Sequence, residues 1–298
     1  MRSRILVTGA AGFIGQSLVA HLRRGGRDVL PVTRDMVARM TDVDAVVHLA
    51  ARAHVVADKA ADPLEEFRRV NVMETERLAD AAVRGGVRRF VLVSSIGVLG
   101  NDSDGRAFTA ADPPHPSEPY AVSKWEAEQR LLERVAGTAI EAVIVRPPLV
   151  YGPGVKGNFL RLLRLVNSGL PLPFAGLEAR RSFVGLQNLC GLLEACIDHP
   201  AAAGRVLLAA DGEDVTLPEL LDAIARGLGR PARLFKVPWL LVESFASMAG
   251  RREDLARLVG SLRVDASETR QVLGWQPHVR FDAGIRAMAE WYLARTTP

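Results

Sequence analysis

The stretch Arg4-Ile5-Leu6-Val7-Thr8-Gly9-Ala10-Ala11-Gly12-Phe13-Ile14-Gly15 limits the possible folds of this chain more than any other. A short apolar run meets three glycines and passes directly into helical periodicity that continues through Arg24. Glycines at 9, 12 and 15 allow a tight strand-to-helix turn, close backbone approach to a pyrophosphate, and tight packing of the helix on its strand. The first amides of such a helix have no intrahelical partner and favour an anion. Glycine makes up 26 of 298 residues, so the spacing alone carries little. Its position, straight after a strand and opening a helix, gives it weight.

The rest of the first half repeats this alternation. Strands are expected at 28–33, 44–50, 89–94 and 142–146, and helices at 13–24, 71–85 and 119–136. Repeated β-α units predict an α/β fold, with a Rossmann-type doubly wound parallel sheet covered by helices on both faces. From Gly152 onward, prolines and glycines loosen the pattern, and helices are expected at 186–197, 217–228 and 282–295. The expected division is a dinucleotide-binding domain at 1–151 and a smaller mixed substrate-binding domain at 152–298, some of whose segments return to the first sheet.

Composition excludes several classes. No apolar run reaches the roughly 18 residues of a membrane span, and Gly9 and Gly12 interrupt any leader-like segment. The two cysteines, Cys190 and Cys196, have neither a metal nor a redox spacing and are expected to be reduced core thiols. No metal site is expected. The net charge of +4 comes from arginines scattered among 34 acidic residues, with no basic block, which argues against a nucleic-acid partner. A cytoplasmic location follows as the expectation.

The second strand runs into Val32-Thr33-Arg34-Asp35. An enzyme that reads an unmodified adenosine ribose wants a carboxylate at the strand end, whereas Arg34 suits a 2′-phosphate. This favours NADP, with NAD as the alternative. Tyr120 and Lys124 are four apart in Tyr120-Ala121-Val122-Ser123-Lys124, on one face of a helix. A phenol ordinarily titrates near pH 10, and a neighbouring ammonium lowers that value toward useful proton transfer. Three tyrosines and four lysines give this spacing by chance in about 4% of such chains, so context matters. Ser94-Ser95 ends the preceding strand, at the carboxyl edge where such sheets bind ligands. Ser95 is expected to hydrogen-bond the same substrate oxygen, with Ser94 as its structural partner.

Taken together, the Ile5–Gly15 segment, His48-Leu49-Ala50-Ala51, Ser94-Ser95 and Tyr120–Lys124 resemble the extended short-chain dehydrogenase/reductases, the NAD-dependent epimerase/dehydratase family. The likeness runs nearly end to end, through Asp265-Ala266-Ser267 and Leu273-Gly274-Trp275, and lies nearest the UDP-sugar 4-epimerases and the UDP-sugar 4-keto reductases of O-antigen synthesis. The resemblance implies catalytic roles for Ser95, Tyr120 and Lys124. It implies cofactor contacts from Gly9, Gly12, Phe13, Ile14, Gly15, Leu49, Ala50 and Ala51, from Asn71 at the start of its helix, and from Pro147 near the nicotinamide. It places Asn158, Arg181 and Arg263 on the nucleotide diphosphate. Two departures stand out. Only about ten residues separate the second strand from Asp44, where family members usually place another helix and strand with an adenine-contacting Asp. Leu149 stands where many relatives carry Asn.

The leading expectation is therefore an NADPH-dependent reductase of a 4-keto UDP-sugar, because Thr33-Arg34 favours an exchangeable cofactor. The alternative is a 4-epimerase with retained NAD. A dehydratase usually has an acidic pair beside the serine, where this chain has Ile96-Gly97. A non-catalytic dinucleotide sensor would often lack the tyrosine-lysine pair. Oxidation of a steroid- or flavonoid-like alcohol would need an apolar pocket, for which Phe159, Leu160 and Leu163 are candidates. The helix bearing Tyr120, with Trp125, Leu131 and Leu132, and the helix before it form a possible homodimer face.

Overall fold

The computed structural model describes residues 4–32, 40–53, 62–237 and 260–296. Its main sheet has six parallel strands, β1 (Arg4–Thr8), β2 (Asp28–Val32), β3 (Ala45–His48), β4 (Arg89–Val93), β5 (Glu141–Arg146) and β8 (Val206–Leu208), in the order β2-β1-β3-β4-β5-β8. All pairings are parallel, as crossover helices require. Side chains alternate along each strand, so both faces must be covered. Ile5, Val7, Val47, Val91 and Val145 meet α1 (Phe13–Arg24) and α6 (Leu186–Asp198) on one side. Leu6, Val46, Phe90 and Leu92 meet α3 (Met73–Arg84) and α4 (Pro119–Val135) on the other. Cys190 and Cys196 are buried, unbridged members of the first of these cores.

A second, three-stranded sheet is built from β6 (Leu149–Tyr151), β7 (Arg180–Gly185) and β9 (Asp214–Thr216). Together with α5 (Gly157–Asn167), α7 (Leu217–Gly227) and α9 (Phe281–Thr296) it encloses a separate core around Tyr151, Phe159, Phe183, Leu221 and Ile285. Phe159 and Leu163 belong to that core, so the apolar pocket considered for them is filled by their own packing. A short helix, α8 (Ser267–Leu273), ends at Gly274 in the left-handed conformation. Among the described residues no helix is long and apolar enough to cross a membrane.

One local feature differs from expectation. The helix expected to begin at Asn71 begins at Pro63, as α2 (Pro63–Phe67), where Asp62 accepts a hydrogen bond from the Glu65 amide at 3.2 Å. It reaches α3 through a π-helical segment, Arg68–Val72, in which the Met73 amide bonds the Arg68 carbonyl. Asn71 therefore lies inside a widened turn, a form often used to re-aim a side chain. Among the described residues β2 is the outermost strand on its side of the sheet and contains Pro31, a residue tolerated in sheets mainly at edges.

Helix α4 is fixed to β5 by a buried ion pair. Arg146 donates through Nε and Nη2 to Glu128 at 3.0 and 2.6 Å, and the two side chains are 4% and 0% exposed. Removing one partner leaves an uncompensated buried charge, which costs about 3–5 kcal/mol, whereas apolar replacement of both is often neutral. Glu128→Ala is accordingly expected to lower the urea-unfolding free energy by that amount, and Glu128→Leu combined with Arg146→Met to recover most of it.

Candidate active site

The site forms where the carboxyl ends of β1, β3, β4 and β5 meet the first turns of α1 and α4. Gly9 has φ of +65°, and a Cβ there would lie 2.7 Å from the Ala50 nitrogen. At Gly15 a Cβ would lie 2.2 Å from the Gly9 carbonyl oxygen, so no side chain fits. Gly12 occupies the N-cap of α1 with no side-chain cap, which leaves the first amides to an outside acceptor. These features fit the pyrophosphate of a dinucleotide. Phe13 packs between the two cores, while Ile14 and Leu49 pack on the first. Ala50 and Ala51 run past the turn, half-buried. Arg34, expected to read a 2′-phosphate, lies outside the described residues.

Across the sheet, Ser95 caps a short 3-10 turn, Ile96–Val98, and its Oγ accepts from the Gly97 amide at 3.2 Å. That bond leaves the hydroxyl proton available. The space beside Gly97 is flanked by Ser95 Oγ at 3.4 Å and Ala121 Cβ at 3.5 Å, so Ser95 faces the first turn of α4. Ser94 is buried, and its Oγ has no hydrogen-bond partner among the described residues. The Pro147 carbonyl accepts from the Ile96 amide at 2.9 Å, which brings the residue expected near the nicotinamide next to the serine turn.

Pro119 starts α4 at a position where its missing N–H costs nothing. Tyr120 follows, its ring edge-on to Phe67 at 5.9 Å. Burial pushes its phenol up to about 12. Lys124, one turn on and 1% exposed, is lowered to about 8 by burial, with the Glu128 carboxylate acting in the opposite sense. A phenol in that state does not act as a base near neutrality, so proton transfer needs positive charge beside it. Lys124 is placed on the right face, and an oxidised nicotinamide would add to it.

The three expected substrate residues fare differently. Asn158, near the start of α5, is exposed. Arg181, on β7, is half-buried and donates to the Gly260 carbonyl at 2.9 Å. Arg263 pairs within the protein: its Nε donates at 2.8 Å to Asp214, which also accepts from Ser182. Its guanidinium thus ties β9 to the 260–264 segment, a long-range pairing invisible in local sequence. Asn71 is likewise tied into the protein. Its Oδ1 accepts from the Arg52 amide at 2.8 Å, and its Nδ2 donates to the Arg52 carbonyl at 3.2 Å and to Ser123 Oγ at 2.9 Å. Both of its N–H groups are committed to the protein, so it clamps the strand exit against α4 and has no donor left for a cofactor. His48, Thr8, Thr75 and Ser123, which complete this buried set, were not singled out from sequence. The available signal was a histidine closing an otherwise apolar, fully buried strand.

Comparison with known proteins agrees with this geometry. Residues 5–209 match the model of the NAD dependent epimerase/dehydratase family. A UDP-glucose 4-epimerase of Vibrio cholerae is 38% identical over 98% of this chain and 96% of its own length. A GDP-6-deoxy-D-mannose reductase of Pseudomonas aeruginosa is 28% identical, covering 98% of each. The solved structure of MoeE5 in complex with UDP-glucose and NAD superposes with a TM-score of 0.80 at 27% identity, over 99% of this chain and 100% of that one. With the glycine turn, the serine turn and the tyrosine-lysine helix on one sheet edge, the chain is an enzyme of the extended short-chain dehydrogenase/reductases and belongs to the NAD-dependent epimerase/dehydratase family.

Proposed function

We propose that this enzyme is a UDP-sugar 4-epimerase that keeps its NAD through the catalytic cycle. The observation carrying this reading is the end-to-end likeness to a UDP-glucose 4-epimerase at 38% identity. The MoeE5 complex with UDP-glucose and NAD supports both ligands. The 4-keto reductase and NADP reading, favoured by Arg34 alone, moves to second place. A less similar sugar-nucleotide reductase still favours it. The lack of an acid pair after Ser95 continues to disfavour a dehydratase.

Bound NAD would supply the carbon that accepts the hydride from sugar carbon 4 and returns it to the opposite face of that carbon, so that the carbon is inverted. Tyr120 takes the proton from the carbon-4 hydroxyl and later gives it back, so one group serves both directions. Ser95 donates a hydrogen bond to the same oxygen and holds it as its charge changes. Lys124 keeps its ammonium one helical turn from the phenol and favours the phenolate. Arg181 and Asn158 are proposed to hold the diphosphate of the nucleotide, at the far end of the substrate.

Three outcomes follow. Protein denatured after purification is expected to release NAD. Native protein should bring UDP-glucose and UDP-galactose to one common ratio from either side, followed by chromatography, without net dinucleotide consumption; stoichiometric NADPH oxidation on a 4-keto UDP-sugar would instead establish the reductase. Tyr120→Phe is expected to lower kcat by about 10²–10⁴-fold while NAD stays bound. Lys124 also has a stability consequence. Its folded pKa of about 8 lies below the unfolded value of 10.5, so between these values the unfolded chain holds more protons and stability rises with pH. Lys124→Met is therefore expected to stabilise the fold near pH 7, by up to about 3 kcal/mol, and to lose that advantage between pH 8 and 10.5, as measured by urea unfolding.

A further inference from the structure

A chain of buried hydrogen bonds runs from the glycine turn to the helix of Tyr120. Thr8 Oγ1, at the end of β1, accepts from the Leu49 and Ala50 amides, each at 3.2 Å. It lies 2.6 Å from His48 Nδ1. His48 Nε2 lies 3.1 Å from Thr75 Oγ1, which donates to the Asn71 carbonyl at 2.6 Å. Asn71 Nδ2 donates to Ser123 Oγ, and Ser123 Oγ donates to the Tyr120 carbonyl at 2.8 Å. His48, Asn71, Thr75 and Ser123 are each no more than 2% exposed, so solvent cannot replace a missing partner.

Counting protons fixes the direction of every link. Thr8 Oγ1 already accepts two amides, so its own proton must go to His48 Nδ1. The Thr75 proton is committed to the Asn71 carbonyl, so Thr75 accepts, and the donor is His48 Nε2–H. Both ring nitrogens are satisfied only by the neutral imidazole with its proton on Nε2. Burial, with the Lys124 ammonium nearby, also holds the ring well below its usual pKa, to about 3.

We propose that His48 is a positioning residue for proton transfer, whose Nε2–H orients Thr75 and Asn71 and thereby sets Tyr120 relative to the dinucleotide turn. It acts through other residues and touches neither substrate nor cofactor. The inference rests on the reading of Tyr120 as the proton-transfer group. The two halves of the link are separable, because an asparagine at 48 can still accept from Thr8 but cannot reach Thr75, while a glutamine places an amide N–H where Nε2 donates.

The test compares His48→Gln and His48→Asn, each first checked by circular dichroism, thermal melting and NAD content. With UDP-glucose, His48→Asn is expected to lose about a hundredfold in kcat, the scale of a misplacement near 1 Å, with KM and NAD content near wild type. His48→Gln should restore most of that loss. In 15N-histidine spectra, the resonance removed by either substitution should show the neutral Nε2–H form and stay fixed from pH 5.5 to 8. In 13C-tyrosine spectra of the NAD-loaded protein, the signal lost in Tyr120→Phe should shift in His48→Asn and stay in place in His48→Gln. These spectra need no turnover, so absence of activity on UDP-sugars would sink the functional reading and leave this one to stand or fall alone. Equal losses of kcat, NAD content and melting temperature in both variants would reduce His48 to a structural residue. A titrating or Nδ1-protonated His48 would overturn the assignment.

Discussion

The backbone-to-backbone approach inside the first turn is the contact on which the rest of the site depends. With Gly15 pressed on the Gly9 carbonyl, α1 lies against β1 more closely than any side chain would permit. The same turn touches Leu49 and Ala50 at the exit of β3, so β1, α1 and β3 are fixed as one unit. The helix amides consequently open at the sheet's carboxyl edge, a few strands from Ser95 and Tyr120. Proximity of the two halves follows from strand order, and the chemistry is added by side chains on that frame.

How much was legible in the sequence follows from the range of each interaction. The strand, glycine turn and helix at 4–24 could be read because their signals are local and periodic. So could Tyr120 and Lys124, since helical spacing alone puts them on one face. The surroundings of Asn71 are not legible locally. The widened turn at 68–72 and the start at Pro63 pack against α4, which leaves no periodic mark. The partner of Arg263, Asp214, is 49 residues away and leaves no mark in its own window. The link from Thr8 to Tyr120 draws on four separate segments, and each member reads as an ordinary core or capping residue in its own window.

Two of the buried charged side chains lie on one helix. Lys124 and Glu128 share the inward face of α4, and Arg146 closes the series from β5. An apolar core would be easier to stabilise, yet on the proposed mechanism the ammonium is what would bring the Tyr120 phenol toward proton transfer. The neutral His48, near enough to Lys124 to feel its charge, adds polarity without a further positive charge. On that reading the cost of burying Lys124 falls beside the proposed proton-transfer group, and the Arg146–Glu128 pair lies one turn further along the helix.

The edge at β2 has a consequence of a different kind. Among the described residues β2 is a sheet margin, and Pro31 sits within it. Proline offers no amide to an incoming strand, and an unprotected margin is a template for aggregation. The first two strands leave the ribosome well before β4 and β5 exist to complete the sheet. A proline at that margin withholds one backbone donor from pairing between chains, so a substitution there is expected to be felt in soluble yield before it is felt in turnover.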